Sequence, residues 1–561
     1  MKQIIECVPN FSEGRDLTVI KQITEQMLTV DGIKLLDVDP GAATNRTVVT
    51  IAGEPELVVE AAFRAIKKAM EVIDMSKHKG EHPRFGATDV CPLVPISNIT
   101  MEETVEYAHK LAERVGKELG IPVYCYENAA FIEKRRNLAT CRAGEYEGLP
   151  NKLSDPSWKP DFGPAEFLPR TGAVAIGARD FLVAYNVNLN TTSTRRANSV
   201  AFDIREKGRP MREGNSITGK IIKDANGNPV NIPGSLKACK AIGWFIEEYG
   251  IAQVSINLTN ISITPVHIAF DETCNKAHER GMRVTGSELI GMAPLKVFTD
   301  AGRYFLEKQQ RSVGVSDAEL IKIAVKSLGL DDLKPFNPEE KIIEYALRDE
   351  KNTRKLMNMS CSAFADETAS ESPAPGGGSI SAYMGALGVS LATMVANLSS
   401  HKPGWDDRWK EFSEWAEKGQ ILKKELIHLV DEDTNAFNKI MDAFGLPKAT
   451  EHDKAARTAA IQSATKYAIE IPFQVMKKTY SAFEIIKAMA KTGNPNSVTD
   501  AGVGALAVRS AVMGAFLNVK INAAGLQDKD FVNKVLTEGA EIEKKAKEAE
   551  EEIMSIVNSK I

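Results

Sequence analysis

The pattern of the chain changes once, near residue 337, and that change limits the folds open to it. Before it, short β-branched runs alternate with amphipathic helical stretches. After Asn337-Pro338-Glu339-Glu340 the periodicity is helical to Ile561, with no strand signal. Those four residues read as a helix start, with Asn as cap and Pro at the first helical position. The pattern predicts two α/β subdomains of the α+β sandwich type, over 1–181 and 182–329. A linker at 330–337 and an all-α helical bundle domain at 338–561 follow. A length of 561 residues suits about three to four domains.

In the first subdomain Gln3–Val8 and Ile33–Val38 read as strands, Asp39-Pro40-Gly41 as a turn, and Arg46–Ile51 as a further strand. Val59, Phe63, Ile66, Met70 and Ile73 step by four and three, the spacing of one helix face. That helix delivers the chain to Lys79–Pro92, KGEHPRFGATDVCP, a polar loop broken by Gly80, Pro83, Gly86 and Pro92. Thr100 with Glu103 forms a capping box. Trp158–Gly172 is a second Pro/Gly-rich loop, long enough to be functional. No phosphate-binding loop motif occurs.

A net charge of −5 gives no basic face for nucleic acid. Seven scattered cysteines, with no CxxC pair and no histidine at zinc-ligand spacing, point away from metal and disulfides and toward a cytoplasmic enzyme. The N-terminal MKQIIECVPNF is too short in its apolar run for a secretory signal. Ile380–Ser400 carries no charge over the length of a membrane span. Its glycine, serine and threonine content, among amphipathic neighbours, predicts a central bundle or oligomer-interface helix instead. Glu538–Glu552 reads as a solvated helix of mixed charge.

His82, within Glu81-His82-Pro83-Arg84, is a candidate base, since imidazole accepts a proton near neutral pH. A histidine bonded to backbone is the plain alternative, and is the expectation for His78, His109 and His278. Asp433 is reached through its helix, where Leu422, Leu426, Leu429, Phe437 and Ile440 mark an apolar stripe. Asp433 fills the gap in that stripe, whereas Asp431 and Glu432 lie off it. A carboxyl on an apolar face is desolvated and its pKa raised, which suits an acid. Arg509 interrupts the apolar helix Val503–Val519 and is expected to pair with a buried acid such as Asp433 or Asp500, with a substrate carboxylate as the alternative. Ser372–Ser379, with three consecutive glycines, leads into the uncharged helix; its N–H groups suit an anion or a polar ring edge, while the glycines alternatively serve only close helix packing.

Taken together, VPNFSEGR, GEHPRFGATDVCP, RRNLATCRAGEYEGL, GPAEFLPRTG, QVSINLTN, SPAPGGGSISAYMGAL and VDEDTNAF resemble the bifunctional formimidoyltransferase-cyclodeaminases of histidine breakdown. The resemblance spans nearly the whole chain. It implies transfer of a formimino group from N-formimino-L-glutamate to N5 of tetrahydrofolate, then closure to 5,10-methenyltetrahydrofolate with release of ammonia. It implies His82 as transferase base and Asp433 as cyclodeaminase carboxylate. Gly163, Pro164, Ala165, Glu166, Phe167, Leu168, Pro169, Arg170, Thr171 and Gly172 become the folate-contacting segment, with Phe167 against a ring and Arg170 against a carboxylate. Polyglutamylated tetrahydrofolate as co-substrate, no metal, no membrane span and a homo-oligomer through the helical domain complete the expectation. Two other readings stand: a helical domain that only oligomerises, or one that is a methenyltetrahydrofolate cyclohydrolase.

Overall fold

The structure, a computed structural model, describes residues 3–41, 45–79, 84–215, 218–347 and 356–561. The chain opens with β1 (Ile4–Cys7), β2 (Asn10–Phe11), α1 (Leu17–Leu28), β3 (Lys34–Gly41), β4 (Arg46–Gly53) and α2 (Pro55–Val72). There follow β5 (Thr88–Ser97), α3 (Met101–Glu118), β6 (Val123–Glu127), the short α4 (Leu138–Arg142) and α5 (Leu149–Ser154), and β7 (Val174–Ala178). The seven strands form one mixed sheet. β3 and β4 lie at one edge, β1 and β2 both pair with β4 and β5, and β7 and β6 close the other edge in parallel. The stripe of α2 is the expected one: Phe63 and Ile66, together with Ile23 and Met27 of α1 and Leu111 and Val115 of α3, pack on Ile5, Ile51 and Leu93. This makes a two-layer sandwich. The capping box of α3 forms as read, with Thr100 Oγ1 accepting from the Glu103 N–H and Glu103 returning to the Thr100 N–H.

One local expectation is corrected. Asp39, Pro40 and Gly41 are not a turn but the end of β3, paired with Val48, Thr47 and Arg46. β3 pairs with β4 alone, and an edge strand tolerates a proline that has no N–H to give.

The next sheet is antiparallel, in the order β11 (Cys239–Ile246), β12 (Ile251–Leu258), β8 (Val183–Leu189), β13 (Val284–Ile290). α6 (Thr194–Ile204) packs on β11 and β12 and α7 (Val266–Glu279) on β8 and β13, while the two-residue strands β9 (Arg209–Pro210) and β10 (Asn231–Ile232) pair separately. β11 escapes the sequence reading because Ile242 and Trp244 point outward, alternating with buried Ala241 and Gly243. Apolar residues on both faces erase the two-residue alternation.

α8 (Leu295–Lys308), α9 (Asp317–Leu328), α10 (Pro338–Lys341) and α11 (Ile343–Ala346) come next. Asn337 does cap α10, but that helix lasts four residues. The stretch 330–337 is packed with the sheet-bearing unit, as are its flanks 325–347. Apolar contacts explain this: Leu330, Ile342 and Ile343 are buried, and the Ile343 N–H donates to Ala293 O. Residues 299–324 group with the helical unit, where the Val313 N–H donates to Ser413 Oγ and Asn397 Nδ2 donates to Gly314 O.

The helical unit continues with α12 (Cys361–Thr368), α13 (Gly377–Ser400), α14 (Trp409–Gly445), α15 (Glu451–Thr492), α16 (Val498–Ala523) and α17 (Lys529–Asn558). α13 touches α14, α15 and α16, so the uncharged helix packs within the bundle. It is long and apolar enough to cross a membrane, and 61% of its most apolar window is buried against its neighbours. Small residues permit that burial. Gly388 lies on Gly504 and Val508, and Gly385 on Thr479.

Candidate active sites

Thr88–Pro92 of the 79–92 stretch form the start of β5 rather than loop, with Pro92 inside the strand, and residues 85–87 meet the 163–172 loop through their backbones. Gly86 bridges to Gly172, the Ala87 N–H donates to Thr171 O (2.8 Å), and the Ala173 N–H donates to Phe85 O (3.2 Å). A Cβ on Gly86 would lie 2.1 Å from Ala173 O, so the approach requires glycine there. Gly172 is also left-handed, with φ +71°. Within the second loop, Phe167 tilts against Tyr146 with ring centroids 5.5 Å apart, and the Tyr146 hydroxyl donates to Pro169 O. Pro164, Ala165 and Glu166 are exposed, and Arg170 reaches out with Asp74 4.0 Å away. Gly163 and Leu168 shape the turn; the Leu168 carbonyl accepts from both Thr171 and Gly172. His82 lies outside the described residues, between Lys79 and Arg84. Arg84 pairs with Glu147 and Glu145, which joins the first loop to the 135–149 motif. The Nε2 atoms of His78 and His109 sit 2.8 Å from the carbonyls of Asn45 and Ala129, as expected of structural histidines.

Beside these loops is a charged cluster that sequence reasoning did not single out. Asp89 is buried, with Arg142 at 2.8 Å and Arg46 at 3.3 Å, and Asn10 Oδ1 accepts from Arg46 Nε at 2.9 Å. Burial pulls the Arg46 pKa down, and Asp89 partly restores it. Among these three charges one positive is in excess, which draws an anion. A signal was present. Asn10, Asp89 and Arg142 each stand in one of the motifs VPNFSEGR, GEHPRFGATDVCP and RRNLATCRAGEYEGL.

Asp433 lies on the other unit, on α14 against the first turn of α13. A Cβ on Gly378 would fall 2.1 Å from Asp433 Oδ1, so only glycine allows the carboxylate this close. Ser379 Oγ donates to Val430 O (2.8 Å) and lies 3.2 Å from Asp433 Oδ2, with Thr434 Oγ1 at 3.3 Å. Asn518 of α16 approaches Gly377 from the other side. Desolvation raises the Asp433 pKa above the usual carboxylate range; hydrogen bonds from the Ser379 hydroxyl and N–H oppose it. The anion expected at this glycine-rich helix start is therefore Asp433 itself. It is both a cap on α13 and a carboxyl whose pKa burial raises.

The stripe that led to Asp433 runs somewhat differently from its reading. Leu426, Leu429, Val430 and Ala436 are buried, whereas Phe437 is 39% exposed. Asp431 and Glu432 are not free of the interior either. Asp431 accepts from the Leu356 N–H, and Glu432 from the Tyr467 hydroxyl. Arg509 pairs with Glu550 of α17 at 2.8 Å, and not with Asp433 or Asp500. Glu550 comes from the charged final helix, which sequence spacing alone does not place beside α16.

Comparison with known proteins covers both units. Residues 4–179 match the formiminotransferase domain, N-terminal subdomain; 184–348 match the formiminotransferase domain; 360–541 match the model described as formiminotransferase-cyclodeaminase. The formimidoyltransferase-cyclodeaminase of Gallus gallus is 42% identical over 531 residues, 95% of this chain and 94% of that one. A glutamate formimidoyltransferase of Streptococcus pyogenes serotype M1 is 42% identical over 307 residues, 55% of this chain and 94% of its own length. A methenyltetrahydrofolate cyclohydrolase of Methylorubrum extorquens is 35% identical over 204 residues, 36% of this chain and 98% of its own. With one relative matched almost end to end, the chain belongs to the formimidoyltransferase-cyclodeaminase family.

Proposed function

We propose that this chain carries out two consecutive folate reactions of histidine degradation. In the first, N5 of tetrahydrofolate attacks the amidine carbon of N-formimino-L-glutamate, the bond from that carbon to the glutamate nitrogen breaks, and L-glutamate leaves. In the second, N10 attacks the same carbon and ammonia leaves, giving 5,10-methenyltetrahydrofolate. His82 takes the N5 proton in the first step. Asp433 supplies a proton to the departing nitrogen in the second. Support for Asp433 comes from its geometry: a desolvated carboxyl with a raised pKa, fixed against Gly378 and Ser379, is the acid that ammonia release needs. The 163–172 loop holds the folate, Phe167 on a ring and Arg170 on a carboxylate, and the Arg46–Asp89–Arg142 cluster favours an anionic group nearby. The co-substrate is polyglutamylated; the setting is cytoplasmic, a point that seven free thiols support.

Self-association of the helical unit belongs to the same reading. Leu387 on α13 and Val503 and Leu506 on α16 are exposed where the two helices cross. Similarity to a cyclohydrolase favours one second reading, hydrolysis at the helical unit. The deciding assay supplies formiminoglutamate and tetrahydrofolate and follows glutamate and ammonia separately. Methenyl product formed with stoichiometric ammonia is the expected result; hydrolysis of added methenyltetrahydrofolate without ammonia supports the second reading.

A further inference from the structure

We infer that Asn518 of α16 is a specificity-determining residue of the second site, where its side-chain oxygen accepts an N–H from the pterin ring of the folate. The choice of a pterin rests on the function proposed above.

Asn518 and Asn522 stand four residues apart on one face of α16, among Phe516, Leu517, Val519 and Ile521. They use their amides differently. Asn522 Nδ2 donates to Ala468 O of α15 at 2.8 Å and so ties two helices together. Asn518 Nδ2 donates to Gly514 O of its own helix at 2.9 Å, a bond that ties no helices together. What that bond does is orient the amide, with nitrogen turned to Gly514 and Oδ1 left over. Among the described residues Oδ1 accepts no hydrogen bond, and the side chain is half-buried rather than sealed in.

The place of that oxygen points to its partner. Asn518 lies over Gly377, where an added Cβ would fall 3.0 Å from Nδ2 and 3.5 Å from Oδ1. Asp433 lies against the next residue, Gly378. Consecutive Cα atoms are about 3.8 Å apart, so carboxyl and amide flank one turn of α13 and a single ring system reaches both. Close packing holds α16 there: Ser381 Oγ donates to Gly377 O at 2.7 Å, and a Cβ on Gly514 would meet the same Oγ at 2.5 Å. An unpaired amide oxygen beside a reacting centre calls for a donor. The folate of the second reaction has N–H groups on its formimino nitrogen and along the pterin ring, where the 2-amino group and ring N3 lie side by side. Asp433 serves the formimino nitrogen, which leaves the pterin edge to Asn518. That edge does not change as N10 closes on the amidine carbon. The contact is therefore shared by ground state and transition state, and its loss raises KM rather than lowering kcat.

The test follows ammonia release by the full chain from supplied 5-formiminotetrahydrofolate. Asn518→Leu keeps the side chain's size and loses its acceptor; KM should rise about tenfold or more, with kcat changed by less than about threefold. Asn518→Asp keeps an acceptor and should hold KM within about threefold of the wild type. Both variants should melt with the wild type. A pterin without a tail, 6-methyltetrahydropterin, should compete with substrate in the wild type and about tenfold more weakly in Asn518→Leu. A wild-type KM in Asn518→Leu overturns the inference. So does a loss confined to kcat, or an equal rise of KM in Asn518→Asp. Any of these beside normal ammonia release by the wild type leaves the proposed function standing. If the wild type releases no ammonia, that function fails, and calorimetric titration with 5-formyltetrahydrofolate decides the contact by itself. Loss of one class of binding site in Asn518→Leu keeps the contact, and unchanged binding overturns it.

Discussion

At the scale of single residues, Asp433 joins two duties that substitution can separate. Asparagine keeps an oxygen to accept from Ser379 and loses the proton-donating carboxyl. Asp433→Asn should therefore melt close to the wild type and lose roughly a hundredfold or more in ammonia release, the usual contribution of a positioned acid. Because the Asp433 pKa is raised, ammonia release should fall as pH rises through it, above the usual carboxylate range, and Asp433→Asn should lack that limb. Gly378→Ala places a methyl against the carboxylate, and should destabilise by about 1–3 kcal/mol in a denaturant titration. Glu6 offers a test unconnected with catalysis. Burial, opposed by Arg179, pushes its pKa from 4.5 up to about 7. The folded state then binds more protons than the unfolded one between those values, so stability is lost as pH rises from about 4.5 to 7 and stays low above it. Glu6→Gln should flatten that slope and raise stability at pH 8, by at most about 3 kcal/mol.

At the scale of elements, α17 packs on α16 through contacts that include the Arg509–Glu550 pair and Gly539, where a Cβ would lie 2.3 Å from the Phe516 ring. Gly539→Val should destabilise the helical unit by about 1–3 kcal/mol and expose α17 to limited proteolysis. The elements differ in how far sequence revealed them. α2 was legible from its apolar stripe, α3 from its capping box and α13 from its charge-free run, local features that tertiary packing did not override. β11 was not, since Ile242 and Trp244 hide its alternation. The 39–41 segment misled because proline and glycine mark turns in general, and only pairing with β4 shows an edge strand. At the second site, Asp433 was legible as a polar gap in a stripe. Gly378 as its necessary partner was not, because the contact joins two helices far apart in sequence.

At the scale of the whole molecule, two compact units carry two sets of chemically distinct groups, and family membership extends over both. The packing boundary does not follow the sequence boundary at 337. Residues 299–324 contribute Gly314, which fixes both Asn397 and Gln420 of the helical unit. A helical fragment beginning at 338 should therefore be less stable than one beginning near 299, which thermal melts of the two fragments would show. The two activities should also separate by mutation: His82→Gln should stop glutamate release while leaving ammonia release from supplied 5-formiminotetrahydrofolate. The most direct measurement gives purified Asp433→Asn protein formiminoglutamate and tetrahydrofolate, and follows both small products together. Two separate sites, the second centred on Asp433, predict glutamate at the wild-type rate with almost no ammonia. Ammonia released at the wild-type rate would contradict that role for Asp433.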